Sequence, residues 1–158
     1  MELNTRGRYA VMAMADLALS CAEVASVPLS SIAERQQISL AYLEQLFSKL
    51  RRAELVESER GRSGGYRLAR AADTITIGEV MAAVAESTDM TRCGIAAGEP
   101  CLAGKRCLTH GLWDALGEHI DQFLAGVTLQ NLIDGRIGRS PVPILAPEVV
   151  FTGGIVTR

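Results

Sequence analysis

The sequence contains no apolar run near the roughly 18 to 20 residues that a membrane-spanning helix requires. Residues 1–6 are not followed by the basic and then apolar stretch, with its small-residue cleavage site, that marks a secretory signal. We therefore expect a cytoplasmic protein. With 158 residues, 48% of them hydrophobic and 22% charged, the chain has the composition of a globular domain whose core needs no disulfide staple.

A catalytic constellation is also missing. Cys107 and His110 are three residues apart and could in principle act as a nucleophile and its base. No third residue that would orient the base is evident, and the chain has no phosphate-binding loop or other substrate-binding motif. We therefore predict that the chain is not an enzyme.

The chain has no excess of positive charge, since its formal net charge is -2. The charge is nevertheless unevenly distributed. Residues 34–70 carry eight basic and five acidic side chains, whereas residues 71–158 carry six basic and ten acidic ones. DNA phosphates bind to a local basic patch, and the net charge of the whole protein matters less. Residues 34–70 are therefore compatible with DNA binding. An arginine-rich surface that is merely solvated is the alternative interpretation.

Apolar residues at helical spacing predict three consecutive helices. The first covers about residues 8–21, the second opens near Ser30 with a capping box at residues 31–34, and the third follows an N-cap serine. The turn before the third helix is short, and this helix exposes hydrogen-bonding and basic side chains, as in a helix-turn-helix that enters a major groove. An ordinary amphipathic hairpin has the same apolar spacing. The predicted DNA-contacting residues of this part are Ser39, Ala41, Tyr42, Glu44, Gln45, Arg51 and Arg52.

A β-hairpin is predicted directly after the third helix. Residues 55–60 alternate loosely as a strand, residues 61–65 form a glycine-rich turn, and residues 66–68 return as a second strand. Arg60 and Arg62 lie at the tip, where they can bind phosphates or an adjacent minor groove. The sequence thus predicts a mainly α fold with a small β wing, that is, a winged helix-turn-helix domain.

Three of the four cysteines and one of the two histidines lie within eighteen residues. They are Cys93, Cys101, Cys107 and His110, separated by seven, five and two residues. Glycines and a proline between them predict a loop, and in a reducing compartment such a set indicates a metal site or redox-active thiols. The set suits a 2Fe-2S cluster, a structural zinc ion or unmetallated redox thiols, although zinc sites commonly have shorter gaps. Cys21 is predicted to be a small core residue.

The apolar pattern after this loop predicts a long helix. One stripe runs from residue 108 to residue 127 and exceeds what a three-helix headpiece needs to cover, so we expect a homodimer helix. Burial within the monomer is the alternative. The predicted units are a headpiece at residues 1–88 (helix-turn-helix about 29–52, wing about 55–69), a cluster-binding loop at 89–107, the dimerisation helix and a short helix at 108–135, and a mobile tail at 136–158.

Four motifs, at residues 6–11, 38–47, 60–66 and 106–113, resemble those of the IscR-type regulators of iron-sulfur cluster assembly. The likeness covers about residues 1–134. It extends to a wider winged-helix group that includes NsrR and RirA.

The resemblance implies a bacterial homodimer that represses or activates cluster biogenesis genes at palindromic sites in double-stranded DNA. It also implies a 2Fe-2S cluster on Cys93, Cys101, Cys107 and His110, with iron-sulfur assembly proteins as candidate donors. In that family, cluster occupancy changes which class of DNA site is bound. The residue at the position of Glu44 takes part in that discrimination. The first gap of seven residues exceeds the five of better-known members. The alternative function is a zinc-binding or thiol redox-sensing protein with a structural winged-helix fold.

Overall fold

The computed structural model describes residues 5–21, 25–59, 64–84 and 108–137. These ranges form six helices and a two-stranded antiparallel sheet, and none of their helices has the length and apolarity needed to cross a membrane. The predicted order of helix-turn-helix, wing and long helix is confirmed. The elements are α1 (Thr5–Ser20), α2 (Leu29–Gln36), α3 (Leu40–Arg52), β1 (Val56–Glu59), β2 (Gly65–Leu68), α4 (Ile77–Ala83), α5 (His110–Gly126) and α6 (Leu129–Ile133).

The hydrophobic core is organised around α1, which contacts α2, α3, α4, α6 and β2. The buried face of α1 includes several alanines, and such small side chains let neighbouring helices approach closely. The predicted apolar stripe of α3 lies in this core, with each of its four members at most 2% exposed. These four residues are Leu43, Leu46, Phe47 and Leu50.

A buried carboxylate on α1 fixes the position of α2. Asp16 is 8% exposed and accepts hydrogen bonds from Arg35 Nε at 3.1 Å and Gln36 Nε2 at 2.6 Å. Burial raises the pKa of Asp16, but the hydrogen bonds from these two residues and the charge of Arg35 outweigh it, so the pKa lies below its ordinary value. A buried charge must be paired to be stable, so the last turn of α2 has to stay against α1.

The wing is attached to the rest of the headpiece through β2. Tyr66 packs edge-on against Phe47 of α3, with 4.9 Å between ring centroids, and it exchanges two backbone hydrogen bonds of 2.8 Å with Val27. A Cβ atom on Gly65 would lie 2.5 Å from the Val27 carbonyl group. This close approach of two backbone segments therefore requires glycine.

The C-terminal end of α5 is joined to the start of α4 by a short β-like pairing. The Ile77 N–H donates to the Val127 carbonyl at 2.8 Å, and the Leu129 N–H donates to the Ile75 carbonyl at 2.9 Å. Capping boxes of Thr76 with Glu79 and of Thr128 with Asn131 open the helices on both sides. The joint therefore anchors α5 to the headpiece at the end opposite His110.

One prediction about the helices is wrong, and the predictions for the loop, the tail and the unit boundaries remain predictions. The predicted capping box at residues 31–34 is wrong: α2 begins at Leu29, after Pro28, and has no side-chain cap. The fixed φ of proline, here -64°, already suits a helix start, so the helix begins earlier than the serines indicated. The predicted loop at 89–107 and all but two residues of the predicted tail at 136–158 lie outside the described residues, and the proposed unit boundaries stay predictions.

Replacing Asp16 with asparagine should lower the free energy of unfolding at pH 7 by about 2 kcal/mol, because charge-assisted hydrogen bonds are lost. The folded pKa of Asp16 lies below its unfolded value. Its contribution is therefore complete above the unfolded pKa of about 3.9 and is lost as the pH falls through the folded pKa.

Urea unfolding at a series of pH values tests this expectation. The difference between wild type and Asp16→Asn should shrink only in the acid range, while the exposed Asp73, changed to asparagine, should give a difference near zero throughout. A difference for Asp16→Asn that stays constant into the acid range would contradict the assignment.

Candidate DNA-reading surface and metal site

The helix α3 presents a polar face to solvent. Ser39 caps the helix by accepting the Tyr42 N–H at 3.3 Å, and its own O–H can still donate to a DNA phosphate. Ala41, Glu44 and Gln45 are exposed on this face. In a major groove, a glutamine can pair with adenine and a glutamate can accept from the cytosine amine. The predicted reading residues of the first two turns are thus brought together on one surface.

Tyr42 has a packing role that the sequence did not predict. Its ring is half-buried and meets the ring of Tyr9 edge-on, with 6.0 Å between centroids and 82° between planes. Because Tyr9 belongs to α1, the contact ties the first turn of the reading helix to the central helix of the fold.

The last turn of α3 carries the predicted arginines. Arg51 Nη1 donates to Ser58 Oγ on β1 at 3.3 Å, and Arg52 is exposed. The polar face therefore continues from α3 toward the wing. Guanidinium groups in this position suit phosphate oxygens or guanine.

The described part of the wing is less basic than the sequence indicated. Arg67 lies opposite Glu57 in the strand register and pairs with the carboxylates of Glu57 and Glu59 at 2.5 and 3.4 Å. These two ion pairs offset its charge. Arg60 and Arg62, on which the predicted basic wing depends, lie outside the described residues.

Of the four predicted metal ligands, the structure describes one. His110 is the first residue of α5 and is 9% exposed, with its Nε2 atom 3.5 Å from Asp114 Oδ2. Metal-binding histidines commonly have a carboxylate beside the ring nitrogen that is not a ligand, so this pair fits a ligand role through Nδ1. Cys93, Cys101 and Cys107 lie outside the described residues. The donor set of three thiolates and one imidazole is chemically compatible with a 2Fe-2S cluster.

Large apolar side chains are exposed along much of α5. Near the C-terminal end of this helix, an open apolar groove of about 600 Å³ is lined by side chains of α5, α1 and α4. Exposed apolar residues in this number indicate an interaction surface. The exposed large side chains on and beside α5 are Leu108, Leu112, Trp113, Leu116 and Phe123.

The model of the Rrf2 family, described as an iron-dependent transcriptional regulator, matches residues 3–135. The chain belongs to the Rrf2 family. The HTH-type transcriptional regulator IscR of Erwinia tasmaniensis is 53% identical over 136 residues, which are 86% of this chain and 81% of that protein.

Two solved structures are similar to this Rrf2-family chain. T. potens IscR matches with a TM-score of 0.69 and 35% identity over 86% of this chain and 88% of that one. CymR, the global cysteine regulator of B. subtilis, matches with a TM-score of 0.70 and 31% identity over 85% of this chain and 98% of that one. The winged-helix fold and the role as a DNA-binding transcriptional regulator are therefore confirmed.

Two contacts near the predicted sites of this Rrf2-family regulator were missed from the sequence. Asp114 lies four residues after His110, a helical spacing that could have identified the pair. Lys49 on α3 contacts the backbone of Val84, thirty-five residues away, and only the fold brings these two together.

Replacing Gln45 with alanine should weaken binding to the preferred duplex by about 1–3 kcal/mol, the usual value of a bidentate base contact, and relax the preference at one base pair. Replacing Arg52 with alanine should weaken binding to all sequences alike and lessen the salt dependence. Fluorescence anisotropy at fixed salt, with the preferred duplex and its single-base variants, measures both effects.

Gln122→Ala, at an exposed position on α5, is the matched control and should bind like wild type. If Gln45→Ala lowered the affinity for every duplex by the same factor, a base-reading role would be contradicted.

Proposed function

We propose that this Rrf2-family chain is a cytoplasmic homodimer that binds palindromic promoter DNA and senses iron-sulfur cluster status through a bound 2Fe-2S cluster. In this role it represses or activates genes for cluster biogenesis. The observation that carries the proposal is the buried His110 with its carboxylate partner, at the C-terminal end of a Cys-Cys-Cys-His donor set. The similarity to IscR-named regulators supports the same function.

DNA reading is assigned to the polar face of α3, with the wing beside it. The proposed base contacts come from Glu44 and Gln45, and the proposed phosphate contacts come from the remaining predicted residues. These are Ser39, Ala41, Tyr42, Arg51, Arg52, Arg60 and Arg62, of which Ala41 can offer a phosphate only its backbone N–H group. Two such helices in a dimer would read half-sites roughly 34 Å apart, which accounts for a palindromic site.

The exposed apolar face of α5 supports the homodimer. The last turns of this helix pack on the headpiece through Leu124 and Val127, whereas Leu112 and Leu116 remain 63% and 37% exposed. A second copy of the same helix would remove these side chains from water, at roughly 25 cal/mol per Å² of apolar area. Burial within the monomer, the alternative interpretation, leaves this exposure unexplained.

The proposed ligands are Cys93, Cys101, Cys107 and His110. When bound, a 2Fe-2S cluster would supply a group whose presence depends on iron and sulfur supply and on oxidants. Asp114 would hold the imidazole of His110 in one orientation. The N-terminus of α5, which favours negative charge, would stabilise the thiolate ligands.

Protein purified without oxygen should show broad visible absorption bands and contain iron and sulfide in equal amounts. Cys101→Ala should lose these bands because a proposed ligand is removed. Cys21→Ala is the matched control, since Cys21 lies at the end of α1, packed against the headpiece core, and should keep the bands.

A colourless wild-type protein that contains zinc would contradict the proposal. That result would favour the zinc-binding or thiol redox-sensing function instead. Equal spectra for Cys101→Ala and wild type would contradict the ligand assignment alone.

A further inference from the structure

One side-chain hydrogen bond joins the reading helix to the end of α4. Lys49 Nζ on α3 donates to the carbonyl oxygen of Val84 at 3.4 Å. Val84 is the C-cap residue of α4, and it has no exposed surface. The last carbonyl groups of a helix lack intrahelical partners and carry partial negative charge, so they favour an ammonium group. The reading helix therefore supplies the charged cap of α4.

Val84 is also the last described residue before the segment that carries the cysteines. Cys93 follows it by nine residues, and an extended chain of that length spans at most about 30 Å. A change in the position of Cys93 is therefore transmitted along the chain first to the C-terminal end of α4, and only through α4 to earlier elements. The carbonyl group that Lys49 binds lies at this point.

The other end of the hydrogen bond lies beside the DNA-reading face. Lys49 is half-buried at the edge between the buried and exposed faces of α3. Gln45 precedes it by four residues and Arg52 follows it by three, which are the spacings of side-chain neighbours on a helix. An ammonium group released from Val84 would therefore be available to a phosphate next to the proposed base contact.

We propose that Lys49 is a specificity-determining residue of this regulator and couples the state of the cysteine segment to the reading face of α3. The proposal rests on the proposed function, because cluster occupancy supplies the two states. In the cluster-free form the ammonium group is bound to the Val84 carbonyl, and in the cluster-bound form it binds DNA. Coupling between two sites requires an element with two alternative sets of contacts, and these two partners of one ammonium group provide it.

The test uses the full chain with and without its cluster. Wild-type protein in each form selects duplexes from a random-sequence pool, and the affinities for one duplex from each selection give a preference ratio. For wild-type protein, we expect the preference ratio to differ by about tenfold or more between the forms with and without the cluster. This is a usual size for allosteric coupling. For Lys49→Met, which keeps the length of the side chain, the change should fall below about threefold.

Two variants separate coupling from loss of charge. Lys49→Arg keeps a donor for Val84 and should retain most of the wild-type change. Arg52→Met removes a positive charge from the same helix, away from α4, and should weaken binding in both forms while the change in ratio is retained. If Lys49→Met retained the wild-type change, the coupling role would be overturned while the cluster proposal stood.

Hydrogen exchange of the cluster-free protein gives a readout that needs neither cluster nor DNA. Amides in the last turn of α4, residues 81–84, should exchange several times faster in Lys49→Met than in wild type or Arg52→Met, because the helix end loses its cap. Equal exchange in all three proteins would overturn the proposal. Wild-type protein that binds no cluster would overturn the proposed function and this inference together, and the absorption spectrum identifies that case.

Discussion

A buried carboxylate, that of Asp16, sets the geometry on which the reading surface depends. It can stay charged only while Arg35 and Gln36 lie within hydrogen-bond distance, and both residues belong to the last turn of α2. Only residues 37–39 separate α2 from α3, so the position of α2 largely determines where α3 begins. The remaining contacts of α1 add to this constraint, and the edge-on packing of Tyr9 against Tyr42 fixes the first turn of α3. The reading helix is therefore held at its start by the anchored α2 and the Tyr9–Tyr42 contact, and along its length by the apolar core.

The same core supports two chemically different surfaces. One is the polar face of α3, where Glu44 and Gln45 are exposed and Arg51 leads toward the wing. The other is the pair of helix ends that border residues 85–107, namely the C-terminus of α4 and the N-terminus of α5 with His110. The backbone pairing of residues 75–77 with 127–129 fixes the opposite end of α5, so α4 and α5 share one anchored joint. A ligand that joins the cysteines to His110 would therefore act on α4, which packs against the reading helix, and on α5, which packs against α4.

Most of the fold could be predicted from the sequence because it depends on local patterns. The apolar spacing in α3, its serine cap and the loosely alternating residues of the wing strands each specify structure within a few residues. Two misses were local, the start of α2 and the pair of His110 with Asp114, and the others are contacts between residues that are far apart or that depend on strand register. Asp16 and Arg35 are nineteen residues apart on different helices, and Arg67, counted among the basic residues of 34–70, is offset only because the hairpin register sets it against Glu57. For the metal site, residue types and spacing predict the donor set, and the structure adds the burial of His110 and its pairing with Asp114.

We propose that the ligand set and the reading helix belong to one coupled unit, so that cluster occupancy changes the DNA preference. The most direct measurement is the affinity of the wild-type protein for a panel of promoter duplexes at one salt concentration, before and after the proposed cluster is removed under anaerobic conditions. Removal of the cluster should change the rank order of the duplexes, because each form prefers a different class of site. A uniform change in affinity, or no change at all, would contradict it.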